Sequence, residues 1–318
     1  MKKKFLAGAV TLLSVLTLAA CSQSTNKDTD IVTMKGDTIT VSEFYEQVKN
    51  NTAAQQVLLN MTIQDVFEKK YGDKVSEKEV KEAFEENKKS YGAAFPQILA
   101  QAGLTEESYH AQIRTSKLVE YAVKKAAEKE INDDAYKAAY DAYTPEVTAQ
   151  VIKLDSEDKA KEVLEKAKAE GADFGQIAKE NSTDAATKEK GGEIKFDSGS
   201  TTLPDDVKKA AFALEPNGIS EVITAKASAY TNSYYIIKLN SKSEKKEKWE
   251  DYKDRLKEII LTQKQNDASF IQKIVAEELK AANLKVKDAA FQNVFAQYMN
   301  AGADTSSSSE ASSESSSK

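Results

Sequence analysis

The spacing of apolar positions changes twice along this chain. Two short extended pieces, 31–34 and 38–41, flank the turn signal Gly36-Asp37. After them apolar residues recur at three- and four-residue intervals, the repeat of a helix with one buried face. Thr40 and Glu43 have capping-box spacing and predict a helix carrying Phe44 and Val48; Ser76 and Glu79 repeat the signature ahead of Val80 and Phe84. Val57, Leu58, Met61, Val66 and Phe67 keep helical spacing between them. Thr105 opens a helix through Ile113, Leu118, Tyr121 and Ala122, and Asn132 caps another carrying Tyr136, Ala139 and Tyr140. Thr144-Pro145 stops this run, because proline cannot continue a helix and drives the residue before it out of helical geometry.

From Pro145 the texture is mixed. Residues 147–154 read as a strand, and 158–170 as a helix with Ala160, Val163, Leu164 and Ala167 on one face, closed by Gly171. Phe174, Ile177 and Ala178 mark a short second helix. Gly191-Gly192 introduces a strand through Ile194 and Phe196, Pro204 precedes a helix bearing Val207, Ala210, Ala211 and Leu214, and 234–239 reads as a terminal strand. The order β-α-α-β-α-β describes an α/β domain of ordinary size at 144–241. Beyond it Tyr252, Leu256, Ile259, Ile260, Phe270, Ile274, Val275 and Leu279 form one long amphipathic pattern, extended by Phe291, Val294 and Phe295. Neither helical part has a rich apolar stripe of its own, so 31–143 and 242–300 are expected to pack together. The fold class is α+β: an α/β domain inserted into a helical domain built from both flanking segments. Residues 301–318, rich in serine, cannot build a core and are expected to be disordered.

The start of the chain carries a different pattern. Lys2, Lys3 and Lys4 precede an apolar stretch at 5–18, too short for a comfortable bilayer span, and small residues then lead to Cys21. The string Leu18-Ala19-Ala20-Cys21 resembles the lipobox of bacterial lipoproteins. That resemblance implies a signal peptide at 1–20, a diacylated Cys21 as the mature N-terminus, membrane lipid as a partner, and a tether at 21–30. Cys21 is the sole cysteine, so neither a disulfide framework nor a cysteine metal site is available. Removing residues 1–20 takes away three lysines and no acid, and the formal charge moves from −6 to −9. Such a chain is a poor partner for nucleic acid or for anionic lipid. No metal-ligand cluster, phosphate loop or hydrolytic triad is legible, and no cofactor is expected.

The inserted segment carries ordered blocks: Phe174-Gly175-Gln176-Ile177-Ala178, Asn181-Ser182, Gly191-Gly192-Glu193, Ala211-Phe212-Ala213-Leu214, Gly218-Ile219-Ser220, and 234–239. In that order and spacing they resemble the parvulin-type peptidyl-prolyl isomerases. With the lipobox and the helical flanks, the whole chain from Met1 to about residue 300 resembles the extracellular foldase lipoproteins of Gram-positive bacteria, most closely the streptococcal type.

The resemblance implies a site, and several of its positions are substituted here. Gln150 and Tyr235 stand where the family carries its two histidines, and Asp184, or Ser182 if a gap is placed before Gly191, stands at the family's active-site Cys or Asp. Leu203 and Val207 take the places of the methionine and phenylalanine that floor the proline pocket, beside Phe212. Lys195 replaces a third glycine. Val207 and Phe212 fit a helix-to-sheet core as well as a pocket. His110, the only histidine, lies outside the domain on a helix and reads as a surface residue; Trp249, at a helix entry, reads as packing rather than a substrate anchor.

Isomerisation needs no covalent step: the barrier falls when a pocket holds the proline ring and the amide loses its resonance planarity. The resemblance therefore implies a membrane-anchored foldase that assists secreted proteins after translocation, with peptidyl-prolyl cis–trans isomerase activity. The alternative is a holdase chaperone whose parvulin-type domain binds peptide and catalyses weakly or not at all. Unfolded or partly folded secreted chains are the expected partners, and the apolar helical arms allow a homodimer. A solute-binding lipoprotein would require two α/β lobes of similar size, which the pattern does not contain.

Overall fold

The computed structural model describes residues 29–227 and 231–299. Cys21, the signal peptide, most of the tether and the serine-rich tail lie outside them. In chain order the elements are β1 (Asp30–Met34), β2 (Asp37–Thr40), α1 (Val41–Val48), α2 (Thr52–Tyr71), α3 (Glu77–Tyr91), α4 (Phe95–Gln101), α5 (Glu106–Glu130) and α6 (Asp133–Ala142). The inserted segment supplies β3 (Val147–Leu154), α7 (Glu157–Lys168), α8 (Phe174–Asn181), β4 (Glu193–Phe196), α9 (Asp205–Ala213), β5 (Ile223–Lys226) and β6 (Asn232–Lys242). The chain then forms α10 (Lys253–Asn266), α11 (Ala268–Ala281) and α12 (Gln292–Met299).

The caps sit where the sequence places them. Thr40 and Glu43 exchange backbone N–H bonds at 2.8 and 3.2 Å, and Ser76 and Glu79 at 2.8 and 3.3 Å. At Thr105 the reciprocal partner is Ser108, not an acid. Each box satisfies two N–H groups that a helix start leaves without partners.

Two compact bodies form. One joins the described residues up to Thr62 with Lys285–Gln297; the other contains Ile63–Leu284. In the first body β1 and β2 make a hairpin, with Val32 opposite Ile39 and Gly36 turning at φ +87°. The Tyr45 hydroxyl donates to Asp288 at 2.6 Å, and its ring lies 6.1 Å from that of Phe291. Much apolar surface stays open here: Phe44 is 53% exposed, Val57 56% and Met61 55%.

In the second body the two helical parts pack together, as their thin stripes require. The 25-residue α5 is the spine. Its Ile113, Leu118, Ala122 and Val123 share one core with Phe67, Val80, Phe84, Phe95 and, from the far end of the chain, Phe270, Ile274, Val275 and Leu279. The expected single amphipathic run after residue 252 is broken by Asp267, which ends α10 and caps α11 by accepting from Ser269 N and Phe270 N. Trp249 stacks on Tyr136 at 4.9 Å. His110 is half-buried, 3.3 Å from Glu77 and beside the Phe84 ring.

The inserted segment in the same body is a four-stranded antiparallel sheet in the order β4-β3-β6-β5. Strand β5 is one the apolar pattern does not predict. Side chains alternate across β3: Val147, Ala149 and Val151 enter a layer with α9, while Ile152 and Leu154 enter another with α7 and α8. Gly191 and Gly192 carry the chain into β4 at φ +66° and +79°. A Cβ on Gly192 would stand 2.4 Å from the Val151 carbonyl oxygen, so the close approach of these backbones requires glycine.

Candidate functional site

The face of the sheet under α9 gathers most of the positions that the resemblance assigns to a proline pocket. Leu203, Val207 and Tyr235 are buried there with Phe196, Ala211, Ile237 and Leu239, and Phe212 packs against them with its ring 5.6 Å from that of Phe196. Helix α9 presents this face because Val207 and Ala211 are four apart, one turn along the same side. Val207 is 0% exposed, beneath the rest of this layer.

Gln150 is elsewhere. It shares the parity of Ile152 and Leu154, its amide donates to the Gly191 carbonyl at 3.0 Å, and it lies beside Gly175 at the start of α8, where a Cβ would stand 3.0 Å from its Nε2. Tyr235 stands opposite Lys153 in the register and belongs to the other layer. The alternation of a strand thus separates the two positions that the resemblance makes flank a proline. Asp184 follows α8 and accepts from the Thr187 hydroxyl and from Ala186 N at 3.4 Å. Ser182, fully buried, accepts from Lys153 N at 3.2 Å, while Thr183 N donates to the Lys153 carbonyl at 2.8 Å. These groups fasten the loop before Gly191 along β3. Lys195 is exposed on the edge strand β4.

A model of the rotamase family, the PPIC-type PPIase domain, matches residues 142–241. Over 299 residues the chain is 71% identical to the foldase protein PrsA of Streptococcus sanguinis strain SK36, spanning 94% of this chain and 89% of that protein. This chain belongs to the PrsA foldase family. The PrsA of Streptococcus gordonii strain Challis is 68% identical over 97% of this chain and the whole of its own length. A crystal structure of PrsA from Streptococcus pneumoniae strain Canada MDR_19A aligns with a TM-score of 0.77 at 63% identity, covering 85% of this chain and all of that one. PrsA from Lactococcus lactis aligns at 0.61 with 34% identity, covering 85% and 99%. The family and the α+β architecture read from the motifs are borne out.

Sequence reasoning missed the polar centre beside this apolar layer. Asp197, just past β4, is buried and takes a forked ion pair from Arg255 of α10, with Nε 2.6 Å from Oδ2 and Nη2 2.7 Å from Oδ1. The Ser200 hydroxyl donates to Oδ1 at 2.8 Å and the Tyr143 hydroxyl to Oδ2 at 3.1 Å. Burial opposes the charge on Asp197, but the guanidinium and the two hydroxyls outweigh it and hold the carboxyl at about 2. Burial, followed by the neighbouring carboxylate, pushes the Tyr143 phenol up. The hydrogen bond to Asp197 raises Arg255. The signal in the sequence is scarcity. Arg114 and Arg255 are its only arginines among many lysines, and each forms a forked pair, Arg114 with Glu68 at 2.6 and 2.8 Å.

Two adjoining cavities open beside this centre. One, of about 350 Å³, runs along Ala135, Ala138, Ala139 and Ala142 of α6; the other, of about 580 Å³, lies between the segment after Asp197 and α10. Both are walled by Ser198, Gly199, Ile259 and Gln263. Among the described residues no cluster of three or more His, Cys, Asp or Glu side chains could hold a metal, and no helix is long and apolar enough to cross a membrane.

Proposed function

We propose that this protein is a membrane-anchored foldase at the outer face of a Gram-positive cell membrane, tethered through a diacylated Cys21. It holds unfolded or partly folded secreted chains, and its PPIC-type domain binds peptide more than it isomerises proline. The observation that carries the last point is the enclosed pocket layer: Val207 is fully covered, and Gln150 is turned into the opposite layer and tied to Gly191. A prolyl ring needs an open apolar cup, with polar groups converging on the same amide. Holding unfolded chains is supported by the apolar surface left open on the first body, where Ile31, Val32, Met34, Val41, Phe44, Val57 and Met61 are all exposed. The same surface supports a homodimer. The reading as an efficient isomerase is favoured by one feature, the gathering of Leu203, Val207, Phe212 and Tyr235 into a single layer.

The test uses the chain from Ser22 onward with two measurements. It is expected to suppress aggregation of several unrelated unfolded proteins while accelerating proline-limited refolding only weakly. Robust acceleration that disappears in Leu203→Ala or Gln150→Ala overturns the weak-catalyst reading. Failure to suppress aggregation of any of those proteins overturns the foldase reading.

A further inference from the structure

The segment after β4 is held from two sides, and one of them is not part of the PPIC-type domain. Within the domain, Lys208 of α9 reaches back and donates to the carbonyls of Ser198 and Ser200 at 3.2 and 2.6 Å. From outside it, Arg255 forks onto Asp197 with two short, parallel N–H···O bonds. The strand linker joins in: Ser198 N donates to the Thr144 carbonyl at 3.1 Å, and Thr144 N to the Ser198 hydroxyl at 2.9 Å. Shape reinforces charge at Gly199, where a Cβ would stand 2.3 Å from Ile259 Cγ1, so a larger residue there would force the Ile259 side chain to shift.

We infer that Arg255 is a positioning residue. Through Asp197 it makes helix α10, rather than the PPIC-type domain alone, set the place of residues 197–203, and with them Leu203 and the width of the neighbouring cleft. Three features support this assignment over simple surface ion pairing. The carboxylate is buried, with both oxygens doubly used, whereas exposed pairs contribute little. The fork is directional, so it fixes an angle as well as a distance. Finally, Leu203 lies three residues beyond Ser200, whose hydroxyl both donates to Asp197 and accepts its N–H at 3.0 Å. A shift of the carboxylate is therefore passed along one short turn to the pocket layer. The inference stands whether the domain catalyses or only binds.

Amide hydrogen exchange on the chain from Ser22 onward tests it, comparing wild type with Arg255→Met, Arg255→Lys, Asp197→Asn and the Asp197→Asn/Arg255→Met double variant. Exchange at the Ser198 and Ser200 amides is expected to rise at least tenfold in Arg255→Met, with a displaced Leu203 methyl resonance. Amides of α7 and α8, such as Ala160 and Ile177, are expected to stay within twofold. Arg255→Lys, which keeps the charge but loses the fork, is expected to fall between, and the double variant to be no worse than the more severe single one. Exchange at Ser198 and Ser200 within twofold of wild type in Arg255→Met overturns the inference. So does a rise shared equally by α7, α8 and α5, which marks general destabilisation, and so does additivity in the double variant. No activity enters the readout, so its failure and that of the foldase reading are distinguishable.

Discussion

Single residues here are chosen for geometry more than for polarity. Gly192 sits at φ +79° against the Val151 backbone, whose N–H donates to the Gly192 carbonyl at 2.8 Å. Gly192→Ala would add both left-handed strain and a collision with backbone that cannot move aside. It is expected to cost about 3 kcal/mol, read as a lowered urea midpoint with an unchanged slope for the domain. A midpoint equal to wild type would show that the approach of β3 and the turn is not tight. Arg255 makes the same point with charge: a lysine supplies the charge but not the two parallel donors. The glycine pair was legible in the sequence as a turn ahead of a strand. The forked pair was not, because Asp197 and Arg255 are 58 positions apart and nothing local marks either.

At the scale of elements, the well-capped segments were the readable ones. Ser76 predicts a helix start and α3 begins at the next residue; Asn132 does the same for α6, and the strand expected at 147–154 is β3. Ser76→Ala removes a hydroxyl that accepts from Glu79 N, and it is expected to cost about 1 kcal/mol. Differential scanning calorimetry should show this as a lowered transition for the helical core, and an unchanged transition would mean the cap is redundant. Elements with weak local signals escaped. Strand β5 has four residues and only Ala225 buried, so its pairing with β6 rather than its composition makes it a strand. Asp267 splits the apolar run of α10 and α11 with an extended φ/ψ of −82° and 105° that periodicity alone cannot register. Alternation along β3 is readable in the sequence, but the pairing register is not: Gln150 and Tyr235 face different layers because Tyr235 lies opposite Lys153.

For the whole molecule, the proposed anchor at Cys21 and the two bodies frame what can be tested. The tether carries the simplest prediction: Cys21→Ala should leave the protein unprocessed or release it to the medium, seen by fractionating cells. A mature variant still bound to the membrane would rule out lipidation as the anchor. The sequence by itself determined the capped helices, the inserted sheet domain, the family blocks and the signal pattern at Cys21. Each of these rests on residues within a few positions of one another, where local geometry and periodicity act directly. Tertiary structure alone decided three things. The PPIC-type domain shares a compact body with α3–α6, α10 and α11, whereas the described residues up to Thr62 join 285–297. Two family positions fall in opposite layers of one sheet. A buried carboxylate meets one of only two arginines. Each depends on which distant strands and helices meet, and hydrophobic burial drives that meeting without recording the partners in local sequence.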